Sequence, residues 1–356
     1  MTSDRASFDP IPLEDAPEVN ALLERIGFGP FLEESLTSYL GRNDIWAGST
    51  ESGREVFVKR VTGTTEDVRS RLGRIAAVDR LISGRDDIPT PKCHAVDTEA
   101  GLVAFELLED VVNGAELAKD DLFTEDLAAD AGRVLAALHS LDVPEELSST
   151  DAPDGPAAPR PLTSIDLETY ASASAGELDL WRLLHNDREV ATALGSPIGG
   201  TKRIRSSLIH GDLRLDQFLS DGDSLYLTDW EETRPGDPAA DIGAFAGEWL
   251  HRGVLAMSTA EDDPVAGGAR RFELLRSNVE EFWAAYLEAR PESVKDLQLS
   301  VRATAFVGHH LFNRVLAASQ QNSYLTPLQK AAAGVGRQAL LNPEDYTTAV
   351  GLGGRP

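Results

Sequence analysis

Apolar residues recur at helical spacing in some parts of this chain and alternate with polar residues in others. Spacing of three or four residues between apolar positions predicts helices over 14–26, 31–40, 64–83, 122–139 and 166–194. It also predicts at least three helical segments over 269–341, with breaks near Pro291 and at 324–327. Short runs bounded by Gly, Pro and Ser predict a hairpin over 45–61 and strands over 88–97 and 101–108. The chain is therefore predicted to contain both strands and helices, with the longest helical stretch in its last third.

The stretch from 208 to 242 is different, because carboxylates directly follow short apolar runs. Asp212 closes the triplet His-Gly-Asp after the run 207–209, and Asp229 follows the run 224–228. The turn 221–223, Asp-Gly-Asp, predicts a hairpin that joins these two runs and brings both carboxylates to one end of it. One carboxylate that orients a hydroxyl and another that holds a metal are what a magnesium–triphosphate site requires.

The order and spacing of these residues resemble the aminoglycoside phosphotransferase/choline kinase-like family, whose pattern is H-G-D-x-x-x-x-N followed by I-D-W or I-D-F. Gln217 stands where that family has Asn, and residues 235–241, PGDPAAD, are similar to its G-D-P-x-x-D-L segment. The resemblance covers about residues 45–249. It implies an α+β class with a bilobal protein-kinase-like fold, in which a small β-rich N-lobe is joined to a larger, mainly helical C-lobe.

The resemblance also implies a domain organisation. It predicts an N-terminal helical extension over 1–44, a nucleotide-binding N-lobe over 45–107 and a C-lobe over 108–356. The C-lobe would hold the catalytic loop at 208–243, and its helices at 166–194 and 269–341 would wall the acceptor site. The Pro-bearing segment 148–161 is predicted to be an exposed loop or linker.

By position in the motif, the resemblance implies a role for each polar residue. Asp212 would accept or orient the proton of the acceptor hydroxyl. Arg214 would contact the γ-phosphate or an anionic acceptor, or else pair with a surface acid. Asp229 and Gln217 would ligate Mg²⁺, and the extra methylene of Gln predicts a weaker second metal position. Lys59 ends the run VFVK, which looks like the V-A-I-K strand of kinases, and would reach the phosphates of ATP.

The acid that fixes this lysine is not at its expected place. In kinases the helix after the lysine strand carries a glutamate that pairs with it, but here the aligned position is Ile75. Asp79, one turn further on, and Glu66, in the first turn, are the acids of that helix within reach. We expect Asp79 to contribute to the nucleotide site in this way.

The end of the strand over 101–108 is similar to the stretch that leads into the hinge of the family. Backbone groups of Glu106, Leu107 and Leu108 would bond the edge of the adenine ring. No G-x-G-x-x-G motif precedes Lys59, so the loop that covers the phosphates is expected to be short or built differently.

Four further polar residues are interpreted as structural. His210 is expected to brace the catalytic loop, Asp237 to be the N-cap of a helix with Pro238 at its first position, and Asp241 to tie that helix to the loop. His139, at the end of a predicted helix, is interpreted as a packing residue rather than a ligand.

The composition and charge of the chain disfavour some classes of binding partner. A formal charge of −26 over 356 residues disfavours nucleic acid and anionic membranes. The charge suits a cationic acceptor, although a solvated, solubilising surface is the favoured explanation for it. Cys93 is the only cysteine, so no intrachain disulfide is expected and a reducing compartment is indicated. No apolar run approaches about 18 residues and the N-terminus has no signal-peptide pattern, which predicts a cytoplasmic protein.

Three functions remain open from sequence. The first is phosphorylation of a hydroxyl on a small molecule with ATP and Mg²⁺, an aminoglycoside-like cation or another natural product, as in antibiotic resistance. The second is phosphorylation of Ser or Thr in a precursor peptide of lanthipeptide-type biosynthesis, where a partner lyase would eliminate the phosphate. The third is a nucleotide-binding pseudokinase scaffold, against which the retention of Lys59, Asp212 and Asp229 argues.

Overall fold

The computed structural model describes residues 7–39, 43–148, 160–195, 207–259, 263–320 and 322–354. Contacts divide the chain into two compact units, which are described separately below. The first comprises 1–120, 144–147 and 216–233, and the second 121–143, 148–215 and 234–356. Residues 216–233 thus belong with the first unit, whereas the sequence assigns them to the larger lobe. The predicted linker at 148–161 lies mostly outside the described residues.

The bounds of the regular elements follow in chain order. The strands are β1 (Ser7–Phe8), β2 (Ser38–Tyr39), β3 (Asp44–Ser49), β4 (Glu55–Arg60), β5 (Cys93–Asp97), β6 (Leu102–Glu106), β7 (Val112–Asn113), β8 (Ser207–Ile209), β9 (Phe218–Ser220), β10 (Leu225–Leu227) and β11 (Arg234–Gly236). The helices are α1 (Pro17–Arg25), α2 (Thr65–Ile82), α3 (Gly114–Lys119), α4 (Glu125–His139), α5 (Glu145–Ser148), α6 (Arg160–Thr163), α7 (Leu167–Ser172), α8 (Ala175–Asn186), α9 (Arg188–Leu194), α10 (Ala239–Leu255), α11 (Pro264–Ala289), α12 (Leu299–Ser319), α13 (Pro327–Leu341) and α14 (Pro343–Tyr346). No helix in these described ranges combines the length and the apolar character needed to cross a membrane.

The first unit is built on a four-stranded antiparallel sheet of order β3-β4-β6-β5. On β4, Val56 and Val58 are fully buried and pack in one cluster with Trp46 and with the apolar face of α1. Side chains alternate between the two faces of a strand, so Lys59 projects to the face opposite these valines. Helix α1 is therefore part of the core of this unit.

The predicted helix over 31–40 is wrong. Only Glu33–Ser35 form a single 3-10 turn, and β2 follows at Ser38. Phe31 bridges to Thr50 and Thr37 to Ala47, so the segment runs along the edge of the sheet. Long-range pairing with β3 has overridden the local apolar spacing, as it commonly does for short segments.

The predicted hairpin between 207–209 and 224–228 is also wrong in its pairing. The turn at 221–223 instead joins β9 to β10, and β7 completes that three-stranded sheet, which lies in the first unit. Strand β8 pairs antiparallel with β11 in the second unit, with Arg234 opposite Ile209. Strand β9 lies between the two runs and pairs with β10, the strand that the sequence analysis assigned as the partner of β8.

The second unit is mainly helical, with α10, α11, α12 and α13 as its longest elements. Helix α4 packs against α11, and α12 packs against both α10 and α13. A side chain at Gly132 would overlap the carbonyl oxygen of Phe282, so glycine allows α4 and α11 to approach closely. The predicted breaks near Pro291 and at 324–327 are confirmed by the ends of α11 and α12.

Candidate active site

Lys59 lies at the centre of a charged cluster in the first unit. Its Nζ is 2.5 Å from Oδ1 of Asp229 and 2.9 Å from Oε2 of Glu231, and its side chain is 12% exposed. Burial alone would lower the pKa of the ammonium group, but the two carboxylates raise it on balance. The lysine is therefore held in its charged form, as contact with phosphate oxygens requires.

The backbone at Asp229 is set by the turn that follows β10. Asp229 adopts the left-handed conformation, with φ 69° and ψ 57°, and precedes a 3-10 turn at Trp230–Glu232. The indole Nε1 of the buried Trp230 donates to Oγ1 of Thr90 at 2.9 Å. A non-glycine residue in this conformation costs free energy, and such residues gather at functional sites. The anchored indole fixes where the Asp229 carboxylate points.

Gln217 is brought to Asp229 by the β9–β10 hairpin. Its Nε2 donates to Oδ2 of Asp229 at 3.2 Å, and the side chain is nearly buried. Its backbone carbonyl accepts hydrogen bonds from both N–H and Oγ1 of Thr228. The structure thus brings together three of the predicted site residues, Lys59, Asp229 and Gln217.

The oxygens of Asp229 and Gln217 suit a hard divalent cation. Mg²⁺ takes one or two protein oxygens and completes its octahedron with water and substrate phosphates. Asp229 and Gln217 together offer such oxygens, so this donor set fits Mg²⁺ in ligand type. In the described part of the chain, no group of three or more His, Cys, Asp or Glu residues is placed to hold a metal ion.

Asp79 does not join this cluster. Its carboxylate accepts a hydrogen bond from the Cys93 backbone, and burial raises its pKa on balance. Among the described residues, the acids paired with Lys59 are Asp229 and Glu231. Sequence reasoning missed Glu231, although it lies only two residues after Asp229.

Helix α2 grips the turn that carries Glu231 by means of arginines. Nε of Arg74 donates to the Glu231 carbonyl at 2.5 Å. The Glu232 carboxylate lies 3.2 Å from Nε of Arg71 and 3.6 Å from an Nη atom of Arg74. Two arginines three residues apart, opposite two consecutive glutamates, were the sequence signal for this contact.

The predicted hinge follows directly from β6. The N–H of Glu106 donates to the Lys92 carbonyl at 2.8 Å and that of Leu107 to the Glu55 carbonyl at 3.2 Å. Both donors are therefore already used within the first unit. Of the three hinge residues, Leu108 is the one whose N–H makes no bond to another described residue.

Asp212 belongs to the second unit and follows β8. Its Oδ2 is 2.5 Å from an Nη atom of Arg214, and the Asp212 side chain remains 44% exposed. The guanidinium contacts the carboxylate through its Oδ2 atom. Of the alternatives for Arg214, pairing with an acid is observed, and that acid is Asp212 itself.

The loop that carries Asp212 is held by Asp241 of α10. Oδ2 of this buried aspartate accepts the N–H of His210 at 2.7 Å, and Oδ1 accepts that of Gly211 at 3.0 Å. Gly211 has φ 85°, a conformation that favours glycine. Asp241 therefore ties helix and loop together, as the sequence predicts.

His139 completes this network from the end of α4. Its Nε2 is 3.1 Å from Oδ2 of Asp241 and its Nδ1 is 3.0 Å from the hydroxyl of Tyr286. Burial lowers the pKa of His139, so the ring is neutral. Nε2–H then donates to the carboxylate and Nδ1 accepts from the tyrosine. The interpretation of His139 as a structural residue agrees with this full set of bonds.

Asp237 anchors the start of α10 to α12. It accepts the N–H of Ala239 at 3.0 Å and receives both Nε and an Nη of Arg302, at 2.7 and 3.1 Å. Arg302 also bonds Asp296. These charge-assisted bonds fix the helix from which Asp241 projects.

A family model described as the phosphotransferase enzyme family (APH) matches residues 42–294. The chain belongs to this family. It is accordingly a kinase, an ATP-dependent phosphotransferase whose acceptor is an alcohol group. Enzymes of the family use a nucleotide together with a divalent metal. No curated protein sequence matches the chain.

Solved structures show the same protein-kinase-like fold for this phosphotransferase. Choline kinase LicA from Streptococcus pneumoniae superposes with a TM-score of 0.52 at 15% identity, covering 92% of this chain and 99% of its own. An ethanolamine kinase from Plasmodium vivax superposes with a TM-score of 0.55 at 14% identity, covering 89% of this chain and 85% of its own. The amicoumacin kinase hAmiN, solved with AMP-PNP, Ca²⁺ and Ami, superposes with a TM-score of 0.51 at 15% identity, covering 93% of this chain and 96% of its own. The predicted α+β kinase-like fold is confirmed.

Proposed function

We propose that this phosphotransferase transfers the γ-phosphoryl group of Mg·ATP to a hydroxyl of a small, cationic molecule. The observation that carries the proposal is the cluster of Lys59, Asp229 and Gln217, which joins a charged lysine to two oxygen ligands for a metal. A single cysteine and the use of ATP favour action in the cytoplasm.

The first unit supplies the groups for the nucleotide. Lys59 would contact the α- and β-phosphates as a compact charge, and the free N–H of Leu108 would donate to the adenine edge. Asp229 and Gln217 would hold Mg²⁺, which when bound neutralises charge on the β- and γ-phosphates.

The second unit supplies the candidate base. Asp212 would accept the proton of the acceptor hydroxyl, and its exposure leaves the carboxylate open to a substrate. Arg214 would orient that carboxylate. Because Asp241 fixes the loop through two backbone bonds, Asp212 has a defined position without further ligands.

The class of acceptor is proposed from charge. The chain carries a formal charge of −26, which attracts cations and repels anionic partners. Structurally similar proteins include kinases of choline and ethanolamine, and each of these molecules carries one cationic nitrogen at neutral pH and one hydroxyl. We therefore place amino alcohols and aminoglycosides before neutral or peptide acceptors.

The test has two steps. Calorimetry with Mg·ATP on the folded protein should show one nucleotide site, and transfer from γ-labelled ATP should then be measured against choline, ethanolamine, aminoglycosides, a macrolide and a Ser/Thr-containing peptide. Labelling of an amino alcohol or an aminoglycoside supports the proposal. If only the peptide is labelled, the acceptor is a peptide and the proposed small-molecule acceptor is wrong. Absence of binding at millimolar nucleotide would overturn the kinase assignment.

A further inference from the structure

Lys59 has two carboxylate partners, and they are not equivalent. Asp229 is also the carboxylate that, on the proposed function, would ligate the metal. A lysine held by Asp229 alone would compete with the metal for that group. Glu231 lies 2.9 Å from the same Nζ and provides a separate partner.

The environment of Glu231 suits a fixed partner better than a mobile one. Its side chain is 3% exposed, so an unpaired carboxylate there would carry a large desolvation cost. Its backbone carbonyl accepts Nε of Arg74, and the next residue, Glu232, pairs with Arg71 and Arg74. Helix α2 therefore fixes the main chain on the carbonyl side of Glu231.

The acids of α2 do not take this role among the described residues. The aligned position on the helix is Ile75, which is 3% exposed and apolar. Asp79 is engaged by the Cys93 backbone and Glu66 is exposed. The helix thus contributes positive charge toward the turn, and the turn contributes the acid toward the lysine.

We propose that Glu231 is the positioning residue for Lys59 in phosphoryl transfer, in place of an acid on α2. On the proposed function, the acid that holds Lys59 beside the nucleotide then comes from the segment Asp229-Trp230-Glu231 itself. Glu231 acts through Lys59 and does not contact the substrate. Binding of a metal by Asp229 would leave the lysine still held by Glu231.

The test is a double-mutant cycle on Glu231→Gln and Lys59→Met, read by calorimetric Kd for Mg·ATP. Glu231→Gln alone should weaken nucleotide binding by roughly tenfold, the usual size of coupling between contacting charged groups. In the Lys59→Met background the same change should have little effect, because the group through which Glu231 acts is gone. The KM for ATP should rise while that for the acceptor stays unchanged.

Two matched variants decide which acid is used. Glu66→Gln removes the same charge from an exposed site on α2 and should leave Kd as in the wild type. Asp79→Asn tests the rival acid, and a loss there equal to that of Glu231→Gln would overturn the proposal. Thermal unfolding of each apoprotein shows whether Glu231→Gln folds, and Glu231→Asp, which keeps the charge, should recover part of the affinity.

Failure of this inference is distinguishable from failure of the proposed function. If the wild-type protein binds no Mg·ATP, the proposed function fails. If the wild type binds and Glu231→Gln binds equally well, only the role of Glu231 is wrong. An effect of Glu231→Gln that persists in full beside Lys59→Met would assign the glutamate to the metal or to the fold, and would also overturn the proposal.

Discussion

At the scale of single residues, neighbouring residues that are not assigned a part in the reaction hold the site residues in place through hydrogen bonds. Asp229 is aimed by the Trp230 indole, and Gln217 by the Thr228 contacts at the start of the hairpin. Asp212 differs, because its carboxylate is bonded to Arg214 and remains exposed. These differences predict distinct consequences for substitution at each position.

Asp212→Asn should strongly lower turnover while leaving nucleotide binding intact. The amide keeps the shape of the side chain but cannot accept the hydroxyl proton, so transfer should fall by roughly 10²–10⁴-fold, the usual worth of a positioned general base. Steady-state transfer of γ-labelled phosphate and a calorimetric Kd for Mg·ATP measure the two effects. Turnover equal to that of the wild type would show that another group is the base.

Asp229→Asn provides the contrasting result. Because it removes a charge that would ligate the metal and that pairs with Lys59, both Mg·ATP affinity and turnover should fall. If Asp229→Asn loses turnover alone and binds Mg·ATP normally, the metal is held elsewhere.

Gln217→Asn should lower the Mg²⁺ concentration needed for half-maximal activity. The shorter amide has one fewer rotatable bond, so its oxygen is better fixed for a cation that demands near-octahedral geometry. Activity at saturating Mg²⁺ should be retained. A magnesium titration of both proteins measures the change, and superimposable curves would show that residue 217 does not reach the ion.

At the scale of elements, two long helices fix the catalytic loop of the second unit. Helix α10 supplies Asp241 to the loop, and α4 supplies His139 to Asp241. Arg302 of α12 holds Asp237 just before α10 begins. The loop is thus set by buried polar contacts between regular elements rather than by its own few residues.

Asp241→Asn should destabilise the protein by about 2–4 kcal/mol, because it replaces charge-assisted bonds to His210 and Gly211 and leaves buried donors poorly paired. Urea unfolding measures the change. Asp130→Asn on α4 is a matched control, since its partner Arg133 is exposed and a surface pair contributes less than about 1 kcal/mol. Equal losses for the two variants would contradict the central role of Asp241.

At the scale of the whole molecule, acidic and basic residues differ in where they lie. The chain is strongly acidic overall, yet histidines and arginines are buried among the helices of the second unit. Burial, with His310 and Arg234 nearby, lowers the pKa of His309 to about 4. Burial and Arg314 lower the pKa of His251 to about 4 as well. These groups couple the fold to pH.

The free energy of unfolding should fall as pH is lowered from 7 to 4.5. The unfolded chain binds protons at these histidines near pH 6.5, whereas the folded chain does so only near pH 4, so stability decreases with falling pH in that window. His309 alone should contribute roughly 3 kcal/mol across its full shift. Urea titrations at several pH values measure the slope, and His309→Gln should reduce it. An unchanged slope in that variant would refute the assignment.

The comparison of sequence with structure separates local from long-range information. Helical spacing located α2, α4 and the long helices after residue 264, because amphipathic periodicity is written within each segment. Motif spacing named Lys59, Asp212, Gln217 and Asp229, because their chemistry depends on residue type and order. The fold class followed from the family resemblance that these motifs carry.

Only the tertiary structure decided which groups meet. The edge bridges of Phe31 and Thr37, the pairing of β8 with β11 and the contact of Glu231 with Lys59 all join residues of different elements. Local propensity contains no term for such contacts, because their free energy comes from burial and from partners supplied by other elements. The sequence by itself determined the chemical groups, and packing determined their partners.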